Sequence, residues 1–250
     1  TIEDTNTIAS GDLDIVNAEN VQLTFTSQTG TTGEYGTFSV NAAGNWVYEL
    51  YANDESENGN KVQALEEGTV VTDTFTVLSE DGTTSEEVTV TITGTNDNPT
   101  VSATASTEII EDKDASAQDI SDRGTVSFDD IDTNDVIDIT FASDANIVWS
   151  GGEIDSTLAA QLVAGFTTGV TDADAAGSTA WTYNVEDANL DFLAKDETIT
   201  FSYTVTAADN NDGTATDTVS FTITGTNDRP KIETIDKSGA LIEADDAAIL

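Results

Sequence analysis

The chain lacks cysteine, histidine and methionine altogether, and it holds only two prolines and seven basic residues in 250. Without cysteine, no disulfide can staple the fold and no thiolate can bind a metal. With histidine absent as well, ordinary zinc and copper sites are excluded. So are nucleophile systems built on Ser-His or Cys-His pairs. Forty-eight acidic residues give a formal net charge of −41. Such a field repels phosphate, which excludes nucleic acid and anionic membrane surfaces as partners. No apolar run reaches the roughly 18 residues needed to cross a bilayer, so no membrane insertion is expected. The chain opens Thr1-Ile2-Glu3-Asp4, with neither Met nor a signal-peptide pattern, and reads as a piece of a longer protein.

What remains is oxygen. Carboxylates, asparagine amides and backbone carbonyls are hard ligands suited to Ca²⁺. The core is thin, because Leu, Ile, Val and Phe together number 57 of 250. That lies just above the roughly 20% below which a highly charged chain stays disordered. Paired carboxylates are so common that no acid–base pair stands out, and no catalysis is expected.

The chain repeats itself. Gly94-Thr95-Asn96-Asp97-Asn98-Pro99 returns as Gly225-Thr226-Asn227-Asp228-Arg229-Pro230. Each copy closes a run of strict alternation, Val88 to Thr93 and Val219 to Thr224, the mark of a strand with one buried and one wet face. Each copy is followed at a similar distance by Ile-Glu, at Ile110-Glu111-Asp112 and Ile242-Glu243, and Ile2-Glu3-Asp4 opens the chain in the same style. This predicts one repeat over 1–98, a second over 99–229 and the start of a third, or a linker, over 230–250. Strands are expected at Val21–Thr26, Tyr35–Val40, Trp46–Tyr51, Val70–Leu78 and Glu87–Thr93. In the second repeat they are expected at Thr125–Phe128, Val136–Ala142, Ala180–Val185, Glu197–Ala207 and Thr216–Thr224. Many short strands at this spacing predict an all-β fold of tandem Ig-like sandwiches. One segment departs from it. Ile154, Leu158, Leu162 and Val163 recur at helical spacing behind Asp155 and Ser156, which can cap, and predict a short helix over 156–164.

Tyr35-Gly36-Thr37-Phe38, Gly44 to Tyr48, Val62 to Gly68, Asp73 to Val77 and Gly94 to Asp97 resemble a VCBS repeat. The second repeat resembles a related unit with an insertion, and the Thr-Asn-Asp-Asn-Pro run resembles the calcium-binding linker of cadherins. Such repeats occur in giant type I-secreted adhesins of Gram-negative bacteria. The resemblance implies cadherin-like sandwiches, Ca²⁺ at the repeat junctions, a secreted cell-surface location and a role in adhesion or biofilm formation. The expected function is that of an extender. The alternative is a module that binds sugar or protein through the inserted stretch around 143–180.

Calcium wants six to eight oxygens. At the first junction they are expected from Asn96, Asp97 and Asn98, from Glu111 and Asp112, and from the loop carrying Asp129, Asp130 and Asp132. Clustered carboxylates repel one another unless a cation sits among them. The bland reading of Asn-Asp before Pro is a turn. The second junction offers Asn227, Asp228 and Glu243. At the N-terminus Glu3 and Asp4 are expected to join Asp12 and Asp14. Asp209 to Gly213 is the opening of a calcium loop without its closing Glu, or a plain hairpin turn. Asp187 to Asp196 and Thr171 to Asp174 read as solvated loops with occasional cation contacts. Trp46 and Trp181 read as core, Trp149 as the best exposed aromatic.

Overall fold

The computed structural model describes residues 1–18, 21–51, 57–113, 116–132, 134–144, 146–169, 173–230 and 239. In the N-terminal part the strands are β1 (Ile8–Asp12), β2 (Gln28–Thr32), β3 (Gly36–Val40), β4 (Asn45–Leu50), β5 (Val70–Leu78) and β6 (Ser85–Thr93), with helix α1 (Glu57–Gln63) between β4 and β5. They form a four-stranded sheet in the order β1-β4-β3-β2 and a two-stranded sheet β5-β6. Phe38 of the first sheet stacks on Phe75 of the second, with ring centroids 4.7 Å apart. The two sheets therefore face each other across one core, which includes Tyr48, Val77 and Ile92.

The C-terminal part holds β7 (Thr100–Ala103), β8 (Ile109–Ile110), β9 (Gln118–Asp129), β10 (Val136–Ser143), β11 (Val148–Trp149), α2 (Ser156–Val163), β12 (Phe166–Thr168), β13 (Ala173–Asp174), β14 (Gly177–Ala188), β15 (Thr198–Ala208) and β16 (Thr214–Thr224). One sheet runs β13-β10-β15-β16-β8, with β11 also on β15, and the other runs β12-β14-β9-β7. Trp181 and Tyr183 of β14 pack on Phe221 of β16 at 5.7 and 4.5 Å. The fold is all-β, two Ig-like sandwiches in tandem with a short helix inserted in the second. In β15 buried residues recur at every second position from Ile199 to Ala207, which is why this strand reads clearly in the sequence.

The predicted helix is present as α2. Asp155 caps it, accepting from the backbone N–H groups of Thr157 and Leu158 at 2.9 and 3.2 Å. Leu162 is fully buried and Leu158 packs partly against the core. The Tyr203 and Tyr183 hydroxyls donate to carbonyls of its last turn, Val163 O at 2.7 Å and Leu162 O at 2.9 Å. Gln161 donates to the Glu186 carbonyl at 2.6 Å in an exposed contact.

The stretch Val21 to Thr26 is not a strand. It makes only isolated bridges, with Gln22 opposite Val16 and Phe25 opposite Ser79. Phe25 is buried there while Val21 stays exposed. The sheet positions that it was expected to fill belong to β1 and β2, whose sequences Ile-Ala-Ser-Gly-Asp and Gln-Thr-Gly-Thr-Thr carry no apolar alternation. Trp181 is core. Trp46 is half-buried, its ring lying over Gly11 of β1.

Candidate metal centre

The geometry starts from two short parallel pairings. Ile2 bridges Thr93 in parallel, and β8 pairs β16 in parallel, Ile109 with Ile223 and Ile110 with Thr224. Parallel neighbours run the same way, so the opening Ile-Glu of each sandwich lies beside the exit of that sandwich's own last strand. The Glu3 backbone N–H then donates to Thr93 O at 3.1 Å, and the Glu111 N–H to Thr224 O at 2.9 Å. The side chains follow. A Glu3 carboxylate oxygen accepts from the Thr95 N–H at 3.2 Å, and a Glu111 oxygen accepts from the Thr226 N–H at 2.8 Å.

At the first junction this brings Glu3 and Asp4 together with Asn96, Asp97 and the loop after β9. Asp132 is fully buried and accepts the Asp97 N–H at 2.8 Å, so one sandwich holds the exit strand of the other. Asp130, also buried, accepts the Asp132 N–H at 3.1 Å. Asn96 donates to Asp209 at 3.1 Å, Asn98 accepts the Thr214 N–H at 3.3 Å, and Asn134 donates to Glu66. Asp130, Asp132 and Asp135 offer carboxylate oxygens within 4.8 Å of one another.

A pattern runs through these residues. Asp130 and Asp132 each spend one carboxylate oxygen on a backbone N–H and leave the other without a partner. Asp97 Oδ2, Asp130 Oδ2, Asp132 Oδ1 and Asn96 Oδ1 are buried oxygens with no hydrogen bond. An orphaned buried polar oxygen costs about 1–3 kcal/mol, more when charged, so three carboxylate oxygens and one amide oxygen at one junction call for a common partner. The chemistry of that partner is fixed by the donor set, all hard oxygen and mostly anionic, which fits Ca²⁺ and not a soft metal. The charges are under corresponding strain. Burial, joined by repulsion from Asp4, Asp97 and Asp132, pushes the Glu3 carboxyl up to about 8. Burial and neighbouring carboxylates push Asp97 and Asp130 up to about 6 each. Asp132 and Asp135 are raised for the same reasons.

A second, smaller cluster sits at the far end of the second sandwich. Glu111, Asp191 and Asp228 place carboxylate oxygens within 4.8 Å of one another. Glu111 is only 2% exposed. Its Oε2 accepts the Thr226 N–H and hydroxyl, while Oε1 and Asp228 Oδ1 are buried and unpartnered.

Two expected groupings are corrected. Glu111 does not meet Asp97, because the parallel pairing of β8 with β16 carries it to the opposite end of its sandwich. Glu3 and Asp4 do not join Asp12 and Asp14. Asp12 pairs with Asn45, and both Asp12 and Asp14 border a cleft with Ser79 and Ser85, at the start of β6. Glu3 lies at the end of β6, eight residues on from Ser85, or about 26 Å along a strand at 3.3 Å per residue. Asp129 is exposed, its Oδ1 turned to the Asp130 N–H at 2.9 Å. Asp112 is exposed, its N–H donating to the Gln118 side-chain oxygen. Asn227 is exposed and donates to Asp228 O. Glu243 and Thr171 to Asp172 lie outside the described residues.

Sequence reasoning passed over Glu66 and Asp135 and did not single out Asp191 within the Asp187 to Asp196 loop, because acids are everywhere in this chain. Asp209 makes the plain hairpin turn, its Oδ1 accepting Asn211 and Gly213 N–H at 2.7 and 2.8 Å. Its charge also bears on Asp130, Asp132 and Asp135. Trp149 is partly buried. Its indole N–H donates to Glu197 at 3.1 Å, and its ring meets Phe192 edge-on at 4.8 Å.

No protein-family model matches the chain, and no curated protein matches it in sequence. Among solved structures, several with cadherin domains are similar to the chain at low identity. Human protocadherin-24 EC1-2 is 13% identical, with 92% of this chain and 93% of that one covered and a TM-score of 0.43. Protocadherin gammaB7 EC3-6, a cis-dimer structure, is 14% identical, covering 90% of this chain and 44% of that one at a TM-score of 0.42. Zebrafish RET cadherin-like domains 1 to 4 are 14% identical over 83% of this chain and 42% of that one, at a TM-score of 0.29. This chain spans less than half the length of the gammaB7 and RET structures.

Proposed function

We propose that the chain is a calcium-stabilised extender segment of a large bacterial cell-surface adhesin involved in adhesion or biofilm formation. In this reading 1–98 and 99–229 are two repeats, and 230–250 opens a third or forms a linker. The observation that carries it is the set of four orphaned buried oxygens at the first junction, drawn from both sandwiches. Asp97 stands on the segment that leaves one sandwich after β6, and Asp130 and Asp132 on the loop after β9 of the other, with Glu3, Asp4, Asp135 and Asp209 around them. Residues of that kind hold Ca²⁺, and a shared cation ties two domains to one point. Without it the junction is a polar contact beside an open cleft of about 530 Å³ that borders Ala64 and Ile131. Small polar interfaces leave domain motion as the default. The bacterial, secreted and cell-surface parts of the reading rest on the VCBS resemblance. No chemistry on a substrate belongs to it, and the chain has neither His nor Cys to supply a nucleophile system.

The ligand-binding alternative finds support in one place, the exposed Val148 and Phe192 beside Trp149. It is the weaker reading, since the Trp149 N–H is already engaged by Glu197 and its ring covers Gly151. Small-angle scattering of the 250-residue chain tests the extender. An extended, narrow distribution of distances is expected in millimolar Ca²⁺ and a broader, bent one in chelator. Identical profiles in the two conditions would overturn it.

A further inference from the structure

The two sandwiches end in the same way, and the backbone allows a residue-by-residue comparison of their ends. Gly68 N–H donates to Gly94 O at 3.1 Å, and Asp196 N–H donates to Gly225 O at 3.1 Å. Gly94 N–H donates to Thr69 O at 2.9 Å, and Gly225 N–H donates to Glu197 O at 2.8 Å. Gly68 and Asp196 even share the left-handed backbone, at φ 74° and 68°. Gly68 thus corresponds to Asp196, and five residues earlier in each chain segment Gln63 corresponds to Asp191. Glu3 corresponds to Glu111 by its hydrogen bond to the Thr of each Gly-Thr-Asn-Asp motif.

The same place therefore holds an amide in one sandwich and a carboxylate in the other. Gln63 is 4% exposed, and its Nε2 donates to Glu3 Oε1 at 2.9 Å and to Asp4 Oδ1 at 3.1 Å. Both Glu3 oxygens are thereby satisfied. At the other end, among the described residues, no group donates to Glu111 Oε1, which is buried beside Asp191 and Asp228. An amide N–H₂ aimed at two carboxylates does electrostatically what a cation does, though with a partial charge, and it fills the space a cation needs.

We infer that Gln63 replaces a divalent cation at Glu3, so the residue at this position sets how many ions each repeat end takes. The first junction has its Glu3 subsite closed by the amide and holds cations only around Asp97, Asp130 and Asp132. The end of the second sandwich has the corresponding subsite open, with Glu111, Asp191 and Asp228 as its anionic ligands. This rests on the calcium reading of the junctions given above.

Native mass spectrometry of the 250-residue chain in Ca²⁺ counts the ions directly, with circular dichroism to establish folding. Gln63→Glu is expected to add one Ca²⁺ per chain, and Asp191→Asn to remove one. A folded Gln63→Glu variant with the wild-type count overturns the inference, as does an Asp191→Asn variant that loses none. If Gln63→Glu does not fold, the Asp191→Asn count decides alone. Wild-type chain that takes up no Ca²⁺ at all overturns the junction reading itself, a result distinct from an unchanged count in the variants.

Discussion

At the scale of residues, the junction carboxylates are divided in their use, and that division makes a prediction with two signs. Asp132 spends Oδ2 on the Asp97 N–H and leaves Oδ1 bare. Asparagine at 132 keeps an oxygen for the hydrogen bond and loses the charge. In chelator, where Asp132 stands among like charges, Asp132→Asn should raise the melting temperature. In Ca²⁺ it should lower it, because affinity follows ligand charge. A shift of one sign in both conditions would refute a cation there. The pH dependence follows from the same crowding. In chelator the folded chain keeps protons on Glu3 up to about 8 and on Asp97 and Asp130 up to about 6. The unfolded chain releases them near pH 4. The folded state therefore binds more protons across this window, and stability in chelator should fall as pH rises from about 4 to about 8. Asp122 and Asp155 are held below the usual range by hydrogen bonds, so they cost stability only at still lower pH. Ca²⁺ needs ionised ligands, so in saturating Ca²⁺ neither state holds these protons above about pH 5 and the fall should vanish there, leaving melting temperature nearly flat to about pH 8. Melting curves at several pH values read this, and a flat chelator profile would refute it. The paired motifs carrying Asp97 and Asp228, and Asp130-Ile131-Asp132, were legible in the sequence because turn residues and spacing set them apart. Asp135 and Asp191 were not, since a carboxylate among 48 acidic residues carries no signal until the fold places it.

At the scale of elements, legibility tracked burial. Strands β5, β6, β15 and β16 alternate strictly and were read to within two residues. β1 and β2 lie at sheet edges, are held by backbone pairing and show mostly Thr, Ser and Gly. The two-residue β8 is too short for any period, yet it decides where Glu111 goes, which is why the ligand grouping failed where the strand assignments succeeded. The inserted helix was legible because a cap and an apolar stripe coincide. Its far end was not: no hydrophobic pattern announces that Tyr203 hydroxyl closes it on Val163 O at 2.7 Å. Removing that hydroxyl leaves a carbonyl of the last turn with one partner fewer in a buried place, a loss of about 1–3 kcal/mol. Tyr203→Phe should lower the stability of the second sandwich by that amount in chemical denaturation, while Asp155→Ala at the other end should cost about 1 kcal/mol. If Tyr203→Phe costs nothing, the hydroxyl is not what closes the helix.

At the scale of the whole molecule, the two cores are separate and unequal. Among the described residues, 12 buried apolar side chains make the first cluster and 21 the second. The first is further handicapped by its exit, since Glu3, Asp97 and their neighbours repel without a cation. Between the clusters the described contacts are hydrogen bonds, such as Asn96 to Asp209 and Thr214 to Asn98, with no shared apolar layer. In chelator, then, calorimetry should resolve two transitions, the first sandwich melting below the second. Calcium changes both position and number. A site at 100 times its dissociation constant adds about 2.7 kcal/mol, a large share of a domain margin of about 5–15 kcal/mol. Because its ligands come from both sandwiches, unfolding either one releases the ion and takes that stabilisation from the other. The two transitions should therefore move up and draw together in millimolar Ca²⁺, the lower one moving further. Asp97→Ala should keep them apart even in Ca²⁺, while in chelator two transitions remain and the first rises as the repulsion at its exit is relieved. Two transitions that rise in parallel without converging would mean that each sandwich binds its own ions, and the cation would then not be the element that makes two domains mechanically one.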